Sequence, residues 1–385
     1  MIGSPFLRLS GAVVGIAPDA EVAAHYGEPL REQRVFARGA AVVDASHLGV
    51  VRLGGVDRLE WLSSISTQVY SSGVSAEGLI LSPQGRIEHA FALIDDGECA
   101  YLVTEAESAA PLAAFFTKMR FMKRVEIDDL SDDLFVLATM GDALEIPAIA
   151  PNGTPIVWRD PWVEVVAGGT QYAAVAVESH PGRSFKLRLH LVDAAGRDSV
   201  CRAVRDGELQ VAGMMSLEAL RVAAWRPRFA REIDERALPH EVDLLRSAVH
   251  LEKGCYRGQE AVAKVHNLGH PPRRLALLDL DGMDGRLPAP NALVRLGGKP
   301  VGRITSVVLH YDEGPIALAL LKRAVDPQAD LVVDLELQPQ VADGAVAESS
   351  EGTTEQVDAA QTVIVALDAG DAANMQQLRR QLRGR

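Results

Sequence analysis

The chain reads as an α+β protein ending in a small β-barrel, and three observations carry that reading. Residues 1–272 interleave short β-branched runs with stretches of helical periodicity. From Leu275 to Gln338 the runs are all strand-like, separated by Gly and Pro turns. At 385 residues the chain is also too long for one ordinary core. The predicted division is an N-terminal α+β region over 1–131, a middle α+β region over 132–272, a barrel over 273–340 and an acidic, disordered tail over 341–385.

The elements follow in order. AVVDASHLGVVRLGG (Ala41 to Gly55) is apolar and β-branched enough for two strands about a turn, and VDRLEWLSSI then sets Leu59, Leu62 and Ile65 at helical spacing. In GLILSPQGRIEHAFALI the Ser82-Pro83-Gln84-Gly85 turn joins two strands. APLAAFFTKMRF predicts an amphipathic helix with Leu112, Phe115, Phe116 and Met119 on one side. KRVEIDDL and LFVLATM are strands around an acidic turn, and residues 147–161, rich in Pro, Gly and Asn, read as a loop. FKLRLHLV alternates strictly, which predicts a half-buried strand with Phe185, Leu187, Leu189 and Leu191 on one face. SLEALRVAAW predicts a short helix capped by Ser216, with Trp225 in the core. LALLDL, ALVRLGG, VGRITSVVLHY, PIALALL and LVVDLELQ supply the barrel. Residues 341–361 are acidic, rich in small residues and free of aromatics, which predicts disorder, and QQLRRQLRGR closes the chain as a solvated basic end.

Composition removes several function classes. The 48% hydrophobic and 24% charged content is ordinary globular usage, and no apolar run approaches the ~18 residues of a membrane helix. The N-terminus lacks a signal-peptide layout, so the expected location is the cytoplasm, and no long heptad is present, so the expected state is a monomer. The net charge of −13 is concentrated late: eleven acidic residues and no Lys or Arg lie between Arg323 and Arg379. The three cysteines, Cys99, Cys201 and Cys255, form no CxxC or Cys/His ligand spacing, which argues against a disulfide framework and against a metal site. There is no Walker loop, no GxGxxG after a strand and no GxSxG. Only 5% of residues are aromatic and no basic stripe interleaves them, so nucleic-acid binding is not expected.

One stretch stands out. HLEKGCYRGQEAVAKVHNLG places Cys255 between Lys253-Gly254 and Tyr256-Arg257-Gly258, just before a predicted helix starting near Gln259. A thiolate is stabilised by a nearby cation or by the positive end of a helix, and this turn offers Lys253 and the Gln259-Glu260 helix start. Gly254 and Gly258 free the backbone for positive φ or for close approach. The opposing expectation is an inert, buried cysteine in a tight turn.

KGCYRGQE, Lys253 to Glu260, resembles the signature of the YgfZ family, folate-binding relatives of the aminomethyltransferase (T-protein) of the glycine cleavage system. The flanking SLEALRVAAWRPRFAREIDERALPHEVDLL and HNLGHPPRRL, and the N-terminal DASHLGVVRLGGVDRLEWLSSISTQ and LILSPQGRI, are similar to the same family in its actinobacterial form, over roughly residues 35–335. The resemblance implies a GcvT-like ring of three domains about a folate pocket, with the β-barrel last. It implies tetrahydrofolate as ligand, with Glu218 as the carboxylate for the pterin edge and Arg221 and Arg228 among the cations. Residues 221–274 hold eleven Lys or Arg against seven Asp or Glu. The T-protein carries adjacent aspartates after the turn matching SPQGRI, where this chain has Glu88-His89, a change in charge and in acid-base range. The implied function is accessory rather than enzymatic: support of iron–sulfur cluster assembly or repair with folate bound, Cys255 acting on an assembly or client protein. One thiolate cannot hold a cluster alone, since clusters take about four ligands. The alternative is a folate-dependent aminomethyltransferase or demethylase performing C1 transfer. The family has also been described as tRNA-modifying.

Overall fold

The computed structural model describes residues 3–282, 286–335 and 355–370. A short hairpin of Val13–Val14 (β1) and Ala23–His25 (β2) precedes helix Pro29–Ala37 (α1). Then come Ala41–Asp44 (β3), Gly49–Gly54 (β4), Arg58–Ile65 (α2), Ala76–Leu81 (β5), Ile87–Asp95 (β6), Ala100–Thr104 (β7), Ala106–Met119 (α3) and Glu126–Asp129 (β8). Strands β5-β6-β7-β4-β8 form an antiparallel sheet in that order. The predicted helical stripes pack on one of its faces: Leu62 from α2 and Leu112 and Phe116 from α3 meet Val51, Leu53, Phe91 and Leu102. Phe116 packs edge-on to Trp61 at 5.5 Å between ring centroids, a favourable aromatic geometry.

The middle of the chain supplies Phe135–Met140 (β9), Val157–Arg159 (β10), Leu187–Val192 (β11), Ala194–Arg205 (α4), Gln210–Ala212 (β12), Met214–Ala223 (α5), Phe229–Glu232 (α6) and Gln259–Leu268 (α7). The second sheet runs β10-β11-β9-β3-β12. Strand β3 therefore leaves the N-terminal region and lies between β9 and β12, parallel to β12, so a boundary at residue 131 cuts through one sheet. The physical reason is burial: all four residues of β3 are buried, as befits a strand covered on both faces. β11 corrects the half-buried expectation in the same way. Its Leu189 and Leu191 face one core, while His190 on the other face is also buried.

The two sheets meet face to face. Val50 and Val103 from the first pack with Val136, Ala138 and Leu189 from the second and with Met214, Leu217 and Leu220 from α5. Ser216 does not cap α5. The N-cap is Gly213, whose N–H donates to the carboxylate of Glu32 at 2.9 Å, and Ser216 is buried inside the first turn. No side chain caps the helix start; the distant Glu32 carboxylate satisfies only the N–H of the N-cap glycine.

The last unit is a closed six-stranded barrel of Arg273–Leu280 (β13), Leu293–Leu296 (β14), Lys299–His310 (β15), Gly314–Lys322 (β16), Leu331–Leu335 (β17) and Glu355–Val363 (β18), in the order β13-β16-β15-β14-β17-β18. Strand β18 corrects the prediction of a wholly disordered tail. It pairs antiparallel with both β13 and β17 and so removes both open edges. Val357 and Ala359 point into the barrel while Gln356 and Asp358 alternate outward, so the polar content that read as disorder is one face of a closing strand. The rest of the predicted tail, 341–354 and 371–385, lies outside the described residues. Among the described residues, no helix is long and apolar enough to cross a membrane.

A shared core ties the units together. Leu79, Leu81 and Ile87 of the β5–β6 hairpin pack with Val222, Trp225, Tyr256, Val262 and the barrel residues Leu275, Leu277 and Leu318. Trp225 is in the core, as expected, although its backbone is left-handed at φ +58°.

Candidate functional site

Between the first sheet, β11, α5 and the segment after it lies a cavity of about 170 Å³. Its walls are largely apolar, including Leu79, Phe91, Leu187, Leu189 and Leu217. The size compares with the ~150 Å³ hollow that accepts a benzene ring. It suits a flat ring system rather than a long ligand.

The polar wall brings together the three residues singled out in sequence. Glu218, Arg221 and Arg228 all line the cavity, and all are largely buried. They bind one another: Arg221 donates to both oxygens of Glu218 at 2.7 and 2.6 Å, and Arg228 donates to Oε1 of Glu218 at 3.1 Å. Further carboxylates complete the set. Arg228 grips Glu105 bidentately at 2.8 and 2.9 Å and lies 2.9 Å from Asp19, while Arg221 reaches Glu232 at 3.1 Å. Burial alone would raise the carboxyl pKa of Glu218 and of Asp19. For Glu218 the charges of Arg221 and Arg228 outweigh it, and for Asp19 the His47 hydrogen bond and Arg228 do, so both are held below the usual range and stay ionised. The arginines are thus committed to protein carboxylates rather than free for a ligand's anionic end.

A second cluster occupies the other side of the cavity. Arg226 donates to Asp160 at 3.0 Å and to Oε2 of Glu77 at 2.6 Å. Burial pushes the Asp160 carboxyl up to about 6 against the pull of Arg226. Oε1 of Glu77 is buried without a hydrogen-bond partner. A buried carboxylate oxygen without a donor is costly.

The motif lies on the outside of the same hairpin. Gly258 has φ +85°, and a Cβ there would sit 2.5 Å from the Ser82 carbonyl oxygen, so only glycine lets the chain turn into α7 against the hairpin. Gly254 takes no such conformation and has open space around it. Arg257 grips Glu88 at 2.6 Å, Gln259 donates to the Lys253 carbonyl at 3.2 Å, and Glu260 is exposed in the first turn of α7. Tyr256 is buried beneath Lys253, whose ammonium lies 4.8 Å from the ring centroid. That ammonium donates to the carbonyls of Ser63 and Ser66 at the end of α2, and burial brings its pKa down to about 8. Lys253 is therefore a staple to α2, not the free cation expected beside the thiol. Cys255 itself is a free, exposed cysteine, which sets aside the buried-turn expectation, and it is absent from the cavity lining.

Comparison with known proteins places this geometry. The structure aligns with the glycine cleavage system aminomethyltransferase T from Bartonella henselae at a TM-score of 0.69 and 16% identity, over 94% of this chain and 95% of that one. The chain has the aminomethyltransferase fold. In sequence, it is similar to a chloroplastic protein of Arabidopsis thaliana described as a transferase, 25% identical over 286 residues, 70% of this chain and 62% of that protein. It is also similar to aminomethyltransferases of Symbiobacterium thermophilum, 23% identical over 74% of this chain and 79% of the other, and of Bacillus subtilis, 22% identical over 83% and 90%. The aligned part spans less than two thirds of the Arabidopsis protein's length. No family model matches the chain.

Within this aminomethyltransferase fold, several cavity residues escaped the sequence reading: Glu77, Glu105 and Asp160. Glu77 carried a signal, since it sits in the otherwise apolar strand AEGLIL, where a buried charge needs a partner. Glu105 and Asp160 precede a helix and a turn and look locally like caps. Glu105 makes no side-chain cap, and its carboxylate goes to Arg228 instead. Among the described residues, no group of three or more His, Cys, Asp or Glu could hold a metal.

Proposed function

We propose that this protein binds tetrahydrofolate, its pterin ring in the 170 Å³ cavity, and supports iron–sulfur protein assembly or repair through Cys255 rather than running glycine cleavage. The observation that carries the folate half is a ring-sized apolar slot, in an aminomethyltransferase fold, whose polar wall offers carboxylates. The residues fit a pterin edge. Oε1 of Glu77 lacks a donor, and Glu218, held ionised by two arginines, keeps lone pairs for further N–H groups. Bound tetrahydrofolate would supply nitrogen atoms able to carry a one-carbon unit. Titration with tetrahydrofolate tests this half. Glu77→Gln and Glu218→Gln should each weaken binding about tenfold or more, and unchanged affinity in both removes the pocket assignment.

The accessory half rests on the surface motif. Cys255 is exposed on a turn fixed by Gly258 and by the Lys253 staple, and Glu88, the acidic residue next to the hairpin turn, is occupied by Arg257. His89 is half-buried beside Phe115, and burial lowers its pKa, so it stays neutral at physiological pH. In a strain lacking the protein, wild type should restore cluster-dependent enzyme activity and Cys255→Ser should not. The names of the relatives favour the second reading, C1 transfer by an aminomethyltransferase or demethylase. Formation of methylene-tetrahydrofolate from a supplied amine donor by the purified protein would establish it.

A further inference from the structure

We infer that the loop after α3, Arg120 to Arg124, is the anchor on which a protein partner with an acid-rimmed apolar cleft docks, an inference that rests on the accessory reading of Cys255. Phe121 is 80% exposed and Met122 98%, beside Val56 at 72%. An exposed apolar side chain on its own is ordinary, as at Ile16 and Leu268, but adjacent ones form a contiguous patch of the kind that marks an interaction site. Phe121 is also held in the left-handed region at φ +47°, a conformation bulky residues avoid. Strain of this kind persists only where the surroundings enforce it, and here they do. Arg124 clamps Asp57 through its backbone N–H at 2.9 Å and its guanidinium at 2.8 and 3.2 Å, the Lys123 N–H closes a turn on the Arg120 carbonyl at 3.0 Å, and Trp61 donates to the Met119 carbonyl at 3.2 Å. The loop is a rigid presentation of two apolar side chains, not a frayed end.

Charge names the occupant. Arg120 and Lys123 are exposed on either side of the two apolar residues in a protein whose net charge is −13, while the charge of Arg124 is taken by Asp57. A local basic rim selects an acidic surface on its partner. Two side chains are far less than the paired lipid chains that a stable membrane anchor takes, but they match an interface anchor filling a pocket. Position agrees. The loop is clamped to the N-terminal end of α2, and the Lys253 staple holds the motif to its other end, about 12 Å away for an eight-residue helix. A partner seated on Phe121 and Met122 therefore lies one helix length from the segment that carries Cys255.

The test uses the full chain in cells, with a photo-crosslinking benzoylphenylalanine at position 122 and, as control, at exposed Lys299 on the barrel. A discrete protein adduct from position 122 only, reduced about tenfold by Arg120→Glu/Lys123→Glu, supports docking when Phe121→Ser/Met122→Ser also loses complementation while keeping wild-type tetrahydrofolate affinity and thermal midpoint. No adduct, an adduct indifferent to charge reversal, or full complementation by Phe121→Ser/Met122→Ser overturns it. So does co-flotation with phosphatidylglycerol vesicles that charge reversal abolishes, which assigns the loop to a membrane. If the loop variants behave as expected while Cys255→Ser still complements, the anchor stands and the thiol reading falls.

Discussion

The cavity wall and the surface motif treat charge in opposite ways. In the wall, Arg221, Arg226 and Arg228 are nearly sealed from solvent and each is shared by two or more carboxylates, so the groups are fixed before any ligand arrives. On the motif, Arg257 and Glu88 are each over a third exposed and Cys255 is open to solvent. The difference teaches where precision and reactivity can reside. Buried ion pairs are orienting devices whose loss leaves an uncompensated charge, whereas exposed pairs contribute little and leave neighbours free to react.

The sharpest way to break the contrast is Arg228→Ala. It leaves the largely buried Glu105 without its arginine, removes one of the partners of Glu218 and of Asp19, and should cost about 3–5 kcal/mol of folding stability in urea denaturation. A loss near that of a surface pair would show the wall to be hydrated. Gly258→Ala comes next, with an expected loss of about 2 kcal/mol or more from the left-handed backbone and the contact with Ser82.

Asp243 sharpens the buried side through pH. Its Oδ2 is fully buried without a hydrogen bond, 3.9 Å from both His180 and Arg246, and burial raises its pKa to about 7. The folded state therefore binds a proton between about pH 4 and 7 that the unfolded chain has released. That contribution to stability is full below pH 4 and is lost as pH rises through 7. His180, lowered to about 3 by burial, acts in the opposite sense below pH 6.5. Asp243→Asn should make the slope of stability against pH less negative, by at most ~1.4 kcal/mol per unit in that window, in urea midpoints taken across it. A slope identical to wild type would mean that Asp243 stays charged.

The surface side should respond weakly. A double-mutant cycle of Arg257→Ala and Glu88→Ala should give a coupling of about 0–1 kcal/mol. Cys255→Ser should shift stability by no more than about 0.5 kcal/mol. In the folded protein, a thiol reagent should label Cys255 at once while buried Cys201 waits for unfolding, and slow labelling of Cys255 would contradict its exposure.

Much of this was legible before the structure. The hairpin about Ser82 to Gly85, the stripes of α2 and α3, the barrel strands and the helix after Gly258 are written in local periodicity and turn chemistry. So was the convergence of Glu218 and Arg221, one helical turn apart. Partners for those charges were not: Glu105 and Asp19 are more than a hundred residues from Arg228, and no local pattern pairs them. The partners of Lys253 were hidden for the same reason, because the carbonyls it binds lie at the end of α2.

By itself, the sequence determined helices α2, α3, α5 and α7 and the strands about them, though not α1, α4 or the β10 strand inside the predicted 147–161 loop, and also that the last unit is β and that Cys255 sits on a glycine-flanked turn before a helix, since these depend on neighbours a few residues away. Only the tertiary structure decided that β3 joins the second sheet, that 355–363 closes the barrel, and that the cavity's arginines are already taken. Those outcomes depend on which edges, faces and charges meet at long range, where burial rather than local preference sets the free energy.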